Sequence, residues 1–224
     1  MTRRIAAVTI GQSPRPDLLV TLVSRLPDDA EVIETGALDS LTAATLPSRS
    51  DARDRSSDAY PLTTRLRDKT SVTLDEADLA PLVQVAIEKG EEAGAQVTLL
   101  LCAGGFSDAI ARGPLVRPFD AAVDRLKSIG ARRLAVIVPV AQQAAPAARK
   151  WATAGFDPVP IVGDPATIAP HDLTGLDGIE ALVLDYVGHP TTTVTAARNR
   201  WDVPVVDLGE EGAEVAARLL SELE

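Results

Sequence analysis

The sequence predicts an α/β protein of two pseudo-symmetric lobes, each a parallel sheet flanked by helices, with a β-hairpin projecting from the first. Three observations carry this expectation. Short apolar, β-branched runs alternate with stretches of helical period, the pattern of parallel strands covered on both faces. The pattern restarts at "ARRLAVIVPV", so that "IAAVTIG" is echoed by "LAVIVPV". A second echo sets "LLLCAGG" beside "LVLDYVGH" and pairs Cys102 with Tyr186 and Gly104 with Gly188. Together these place two Rossmann-like lobes about Gly130. Residues 1–130, including the hairpin 60–74, form the first, and residues 131–224 the second. Strand ends of both face one ligand cleft, where open α/β sheets bind.

Taken in order, "RRIAAVTI" is a buried strand, and "GQSPRPD" turns into the helix "LLVTLVSRL". Ser13 is the expected N-cap, with Pro14 or Pro16 in the first turn. "AEVIETG" is the second strand, and the polar residues 36–58 form a surface loop. In "AYPLTTRLRDKTSVTLD" two Thr-rich runs flank "RD", which is hairpin patterning. "EADLAPLVQVAIEKGEEAG" is an amphipathic helix closing at a glycine, and "AQVTLLLC" a strand ending at Cys102. A helix is expected to start near Ser107, and another in "GPLVRPFDAAVDRLKSIG". The second half continues with the helix "QQAAPAARKWATAG", the strand "FDPVPIVG" and the strand and turn "IEALVLDYVGHP". The helix "TTTVTAARNRW", the strand "VPVVDLG" and the helix "EEGAEVAARLLSEL" complete it.

Composition narrows the function. Hydrophobic residues make up 46% of the 224 and aromatics 3%, so the core is large and aliphatic. A formal charge of −10 disfavours nucleic acid and anionic membranes as partners, since both ask for a basic face. The apolar run after "MTRR" is too short for a signal sequence, and no run reaches membrane-span length, so a cytoplasmic location is expected. One cysteine excludes an internal disulfide, and two histidines leave a Cys/His zinc site short of ligands. No G-x-G-x-x-G or G-K-[ST] fingerprint is present. No cofactor is therefore expected.

"AVTIGQSPRPDL", "LTTRLRDKTSVTLDE", "LLCAGGF", "VIVPV" and "LDYVGH", in this order over nearly all of the chain, resemble the AroM family. The resemblance implies a fold like that of the aspartate/glutamate/hydantoin racemase superfamily, with the active site between two α/β lobes. Racemases of that superfamily place one cysteine on each lobe, and related decarboxylases keep a single one. Cys102 matches the first-lobe position and Tyr186 occupies the second, a departure that argues against symmetric two-thiol racemisation.

The candidate catalytic residues are thus Cys102 and Tyr186. Cys102 is either a proton donor and acceptor or a small buried hydrophobe. The catalytic reading expects its pKa to lie below the free value of about 8.5, lowered by backbone donors and a helix start. Candidate substrate-binding residues are Gln12, Ser13 and Arg15 at the first strand end and Ala103, Gly104 and Gly105 after the cysteine. Gly188, His189 and Thr191 join them from the second lobe. Arg15 suits a carboxylate through paired hydrogen bonds, the glycines let backbone N–H groups approach a ligand, and Thr191 serves equally as a helix cap. Asp185, if buried, needs a partner. Arg65 and Arg67 on the hairpin are solvated, close over an anion, or meet a second copy in a homodimer.

The function expected is cofactor-independent chemistry at the α-carbon of a small carboxylate. In an isomerase-like or racemase-like route Tyr186 or water supplies a second proton. In a decarboxylase-like route one acid suffices. The competing reading is a non-catalytic carboxylate-binding or regulatory protein on a degenerate racemase scaffold.

Overall fold

The computed structural model describes residues 2–42, 44–47, 60–168 and 175–223. Most of the expected polar loop 36–58 lies outside them. The first half runs β1 (Arg3–Thr9), α1 (Pro16–Val23), β2 (Ala30–Gly36), β3 (Pro61–Arg65), β4 (Ser71–Asp75), α2 (Glu76–Glu92), β5 (Val97–Leu101), β6 (Leu115–Val116) and α3 (Pro118–Ser128). The second runs β7 (Arg133–Val138), α4 (Ala141–Thr153), β8 (Asp157–Val162), β9 (Ala181–Leu184), α5 (Thr191–Arg200), β10 (Val205–Asp207) and α6 (Leu208–Ser221).

Two four-stranded sheets are ordered β2-β1-β5-β6 and β8-β7-β9-β10, every pair whose register is assigned being parallel. The second order reproduces the first, strand for strand. Their register can be aligned residue by residue. Gln96 N donates to Arg4 O while Gln96 Oε1 accepts from Arg4 N; Glu180 N donates to Arg133 O while Glu180 Oε2 accepts from Arg133 N. Counting on from these anchors, Leu101 corresponds to Asp185, Cys102 to Tyr186 and Gly104 to Gly188. The echo in the sequence is therefore an echo in the sheets.

The core is aliphatic, as composition requires. Ile5, Leu99, Leu134 and Val183 are buried in one cluster that spans both sheets. Trp151 is its largest fully buried side chain and meets Phe119 and Phe156 edge-on, at centroid distances of 4.8 and 5.8 Å. Sheet residues fall on either side of Gly130, but α6, at the end of the chain, packs on α3, α1 and β5. Its small face makes this possible: a Cβ at Gly212 would lie 2.9 Å from Pro118 Cγ.

Two local expectations are corrected. No helix begins near Ser107. The segment after Cys102 is a loop whose Phe106 has φ 40°, and whose carbonyls at Phe106 and Ala109 accept from Arg117. Nor does Ser13 cap α1. Arg15 occupies the N-cap position without a side-chain cap, and the Ser13 hydroxyl donates elsewhere.

The hairpin is present, with Leu62 opposite Leu74 and Arg65 opposite Ser71. Leu66–Thr70 closes it: Lys69 N donates to Leu66 O, and Lys69 itself has φ 71°. Alternation decides its two faces. Leu62, Thr64 and Leu66 are buried against the first lobe, while Thr63, Arg65 and Ser71 share the other, exposed face. An isolated two-stranded ribbon is marginal in water, and this one shares, through Leu62, Leu66 and Leu74, a buried cluster with Ala6 and Val8 of β1. Gln143 of α4 donates to Pro61 O at 3.2 Å.

Candidate active site

A cavity of about 210 Å³ opens at the C-terminal ends of β1, β5, β7 and β9, with the hairpin along one side. That volume suits a small molecule, below the roughly 300–1,000 Å³ of drug-sized sites. Thr9, Cys102, Pro139 and Tyr186 each lie at or just past one of those strand ends and line it. The apolar walls come from side chains such as Ile10, Leu18, Val140 and Val187.

Cys102 is 4% exposed and faces both this cavity and the hydrophobic cluster of the first lobe. Its sulfur accepts from Gly104 N at 3.2 Å. Burial pushes the thiol up to about 12, with Glu76 and Asp185 adding to the rise and Gly104 N–H and Lys150 opposing it. This overturns the expected depressed pKa. The expected helix start is missing, and the remaining donors do not offset desolvation. At neutral pH Cys102 is a protonated thiol.

The loop after it is held from behind. Glu76, first residue of α2, accepts from Phe106 N at 2.8 Å and Gly105 N at 3.3 Å. Those N–H groups are thereby engaged, and Gly104 N is on the sulfur, so the expected use of Gly104 and Gly105 as carboxylate donors is corrected. Gly104 serves packing instead: an added Cβ would meet Phe106 Cε2 at 2.8 Å and Glu76 Oε2 at 2.9 Å. Ala103 does line the cavity, and its carbonyl accepts from Lys150 Nζ at 2.8 Å.

Asp185 finds the partners that burial demands. Its side chain is fully buried, with Lys150 Nζ at 2.7 Å and Trp151 Nε1 at 3.1 Å. The ammonium also sits 4.8 Å from the Phe119 ring centroid and 5.3 Å from that of Tyr60. Tyr60 lines the cavity, and desolvation together with Asp185, Cys102 and Glu76 raises its phenol well above the usual range. It is a neutral hydroxyl beside the thiol.

The other residues singled out in the sequence divide. Tyr186 and Arg15 line the cavity and lie within electrostatic reach of each other. Arg15 is committed to Asp17 through two hydrogen bonds of 2.8 and 2.7 Å, which raise its pKa and lower that of Asp17. Gln12, Ser13, Gly188, His189 and Thr191 do not line the cavity. His189 Nδ1 is bonded to Asp207 Oδ2 at 2.9 Å, and Asp207 caps α6 through Glu210 N. Gly188, with φ 108°, lets the chain turn where a Cβ would lie 2.4 Å from Leu18 Cδ2. Thr191 is exposed at the start of α5.

Gln12 and Ser13 instead clasp the hairpin. Gln12 Nε2 donates to Leu38 O and Leu41 O, while Gln12 Oε1 accepts from Arg67 N at 2.9 Å. Ser13 Oγ donates to Asp39 Oδ2 at 2.7 Å, and Arg67 donates to Ser13 O and Asp39 Oδ1. Sequence reasoning missed Glu76, Lys150 and Tyr60 as parts of the site. Each meets the thiol loop from far along the chain, and no local pattern announces the meeting. Among the described residues no group of three or more His, Cys, Asp or Glu could hold a metal ion, and no helix is long and apolar enough to cross a membrane.

Solved structures share this fold over almost the whole chain. Arylmalonate decarboxylase superposes with a TM-score of 0.67 at 16% identity, covering 99% of this chain and 94% of that one. Allantoin racemase from Klebsiella pneumoniae gives 0.62 at 18% identity, covering 98% and 88%. The maleate isomerase Iso from Pseudomonas putida S16 gives 0.60 at 13% identity, covering 98% and 93%. At such identities the likeness is one of fold, and the fold is racemase-like. No curated protein matches the chain. A family model described as AroM protein matches residues 5–224, and the chain belongs to the AroM family.

Proposed function

We propose that this AroM family protein is a cofactor-independent enzyme acting at the α-carbon of a small carboxylate, in a cleft between two lobes, with Cys102 as its proton donor. The observation that carries the reading is the thiol itself. It lines a small cavity at a strand end and stands in register with Tyr186 on the other sheet. Its protonation state favours the decarboxylase-like route over the isomerase-like one, because removal of an α-proton needs a resting thiolate, and burial opposes that form.

In the favoured route, the bond from the α-carbon to a departing carboxylate breaks and CO₂ leaves. The electron pair stays as the enediolate of the remaining carboxylate. The S–H proton then passes to the α-carbon, and the thiolate left behind takes a proton from water. Lys150, which favours the charged form of the sulfur, eases that last state. Tyr186 and Tyr60 supply hydroxyls at the same cavity, and burial holds that of Tyr60 neutral.

The test is turnover of substituted malonates in D₂O, read by NMR as deuterium at the α-carbon. Cys102→Ser should abolish incorporation while the protein stays folded, since serine is a far poorer acid of similar size. Incorporation at the unsubstituted rate would sink the proposal. A second reading, a binding protein without turnover, is favoured by one specific observation: the N–H groups following the cysteine are already engaged by Glu76. Carboxylate binding retained in Cys102→Ala, with no turnover by the parent protein, would select it.

A further inference from the structure

Two of the cations at the cavity are paired among the described residues. Arg15 is neutralised by Asp17, and Lys150 by Asp185. Arg65 also lines the cavity, on the hairpin face it shares with Thr63 and Ser71. Among the described residues its guanidinium has no hydrogen bond and no ion pair. Its charge reaches Asp17, whose carboxylate is already bonded to Arg15, and a guanidinium with no hydrogen bond of its own beside a small apolar-walled cavity is suited to one carboxylate, through two parallel N–H···O bonds.

The backbone that carries Arg65 is fixed from both sides. Gln12 N donates to Arg65 O at 3.1 Å, and two residues on, Arg67 is held by Gln12, Ser13 and Asp39. Gly11 admits this approach: a Cβ there would lie 2.4 Å from Thr64 Oγ1 and 2.5 Å from Arg65 O. Such fixing is what a binding cation requires, because an arginine on a free ribbon would lose affinity to the entropy of ordering it.

We propose that Arg65 is the carboxylate receptor of this cavity, and that Gln12, Asp39 and Arg67 are positioning residues that hold the hairpin so that it can act. The ligand class is a carboxylate with a single apolar substituent, the carboxylate at the hairpin and the substituent toward Ile10, Leu18 and Val187. This deepens the proposed function and rests on that reading for the identity of the site. It does not depend on the role of Cys102.

The experiment is calorimetric titration of the intact protein with phenylacetate and with phenylacetamide, its neutral isostere. The acid should bind about tenfold or more tightly than the amide. Arg65→Gln should remove that difference and leave amide binding unchanged, which shows the cavity to be intact; Arg65→Lys should restore part of it. Arg67→Gln should weaken the acid selectively, and Arg67→Lys, which keeps the ion pair with Asp39, should recover it. The proposal is overturned if phenylacetate fails to bind at millimolar concentration, if acid and amide bind alike, or if Arg65→Gln keeps the preference. Since Cys102 is judged by turnover and Arg65 by binding, either reading can fail without the other. Cys102→Ser should keep the preference for the acid.

Discussion

The two sheets present equivalent strand ends to one cavity and furnish them with opposite chemistry. At the end of β5 the register brings Leu101, Cys102 and Gly104; at the end of β9 it brings Asp185, Tyr186 and Gly188. Leu101 only packs, whereas Asp185 draws a lysine and a tryptophan into the interior. The first end is therefore apolar and holds a desolvated acid. The second is an ion pair whose cation reaches back to Ala103 O and braces the first. One backbone frame thus supports a buried thiol on one side and its electrostatic support on the other.

The largest expected effect separates the thiol from an ordinary cysteine. With its pKa pushed up to about 12, Cys102 should react with iodoacetamide at neutral pH about a thousandfold more slowly than an unburied thiol. Because the folded pKa is the higher one, the unfolded state loses its proton first as pH rises. Stability should therefore be full below about pH 9 and fall between about pH 9 and 12. Denaturant melts of Cys102→Ser should lack that component. Rapid alkylation of the native protein at pH 7 would refute the buried-acid view.

Copying the first strand end onto the second should be nearly as severe. Asp185→Leu leaves Lys150 charged and buried, and a loss of about 3–5 kcal/mol is expected in urea melts. Adding Lys150→Met should recover most of it, because a pair replaced as a unit strands no charge. A double variant as unstable as the single one would show that the ion pair is not what distinguishes the two ends.

The paired glycines sharpen the contrast further. Gly188→Ala meets both a positive φ and Leu18, so about 2–3 kcal/mol is expected. Gly104→Ala meets only side chains that can shift, and about 1–2 kcal/mol should be lost. The reverse order in thermal melts would contradict the geometry. Smallest in stability is Tyr186→Phe, expected within about 0.5 kcal/mol of the parent because its hydroxyl has no hydrogen bond among the described residues. Its effect should fall on the proposed turnover instead, roughly tenfold if the phenol assists protonation. An unchanged rate would show that the Tyr186 phenol takes no part in protonation.

Much of this contrast is legible in the chain. The strands are, because a buried parallel strand writes itself as a local apolar run, and "LLLC" and "LVLDY" are such runs. The pairing of Cys102 with Tyr186 follows from aligning them. That Asp185 needs a partner is legible as well; that the partner is Lys150 is not, since the two lie 35 positions apart and nothing marks one lysine among others. Gln12 and Ser13 carry a distinctive motif, yet a motif at a strand end reads as ligand binding whether its polar atoms meet a ligand or a hairpin.

The sequence by itself determined the alternation of strand and helix, the doubling of the lobe, the aliphatic core and the placement of one thiol at a strand end. These follow from periodicity and residue type, which act over a few neighbouring positions. Only the tertiary structure decided the charge state of that thiol, the pairing of Lys150 with Asp185, and the bonding of Arg15 to Asp17 while Arg65 has no hydrogen bond among the described residues. Desolvation and ion pairing depend on distances of a few ångströms between segments far apart in the chain, and those distances exist only once the two sheets and the hairpin have closed around the same cavity.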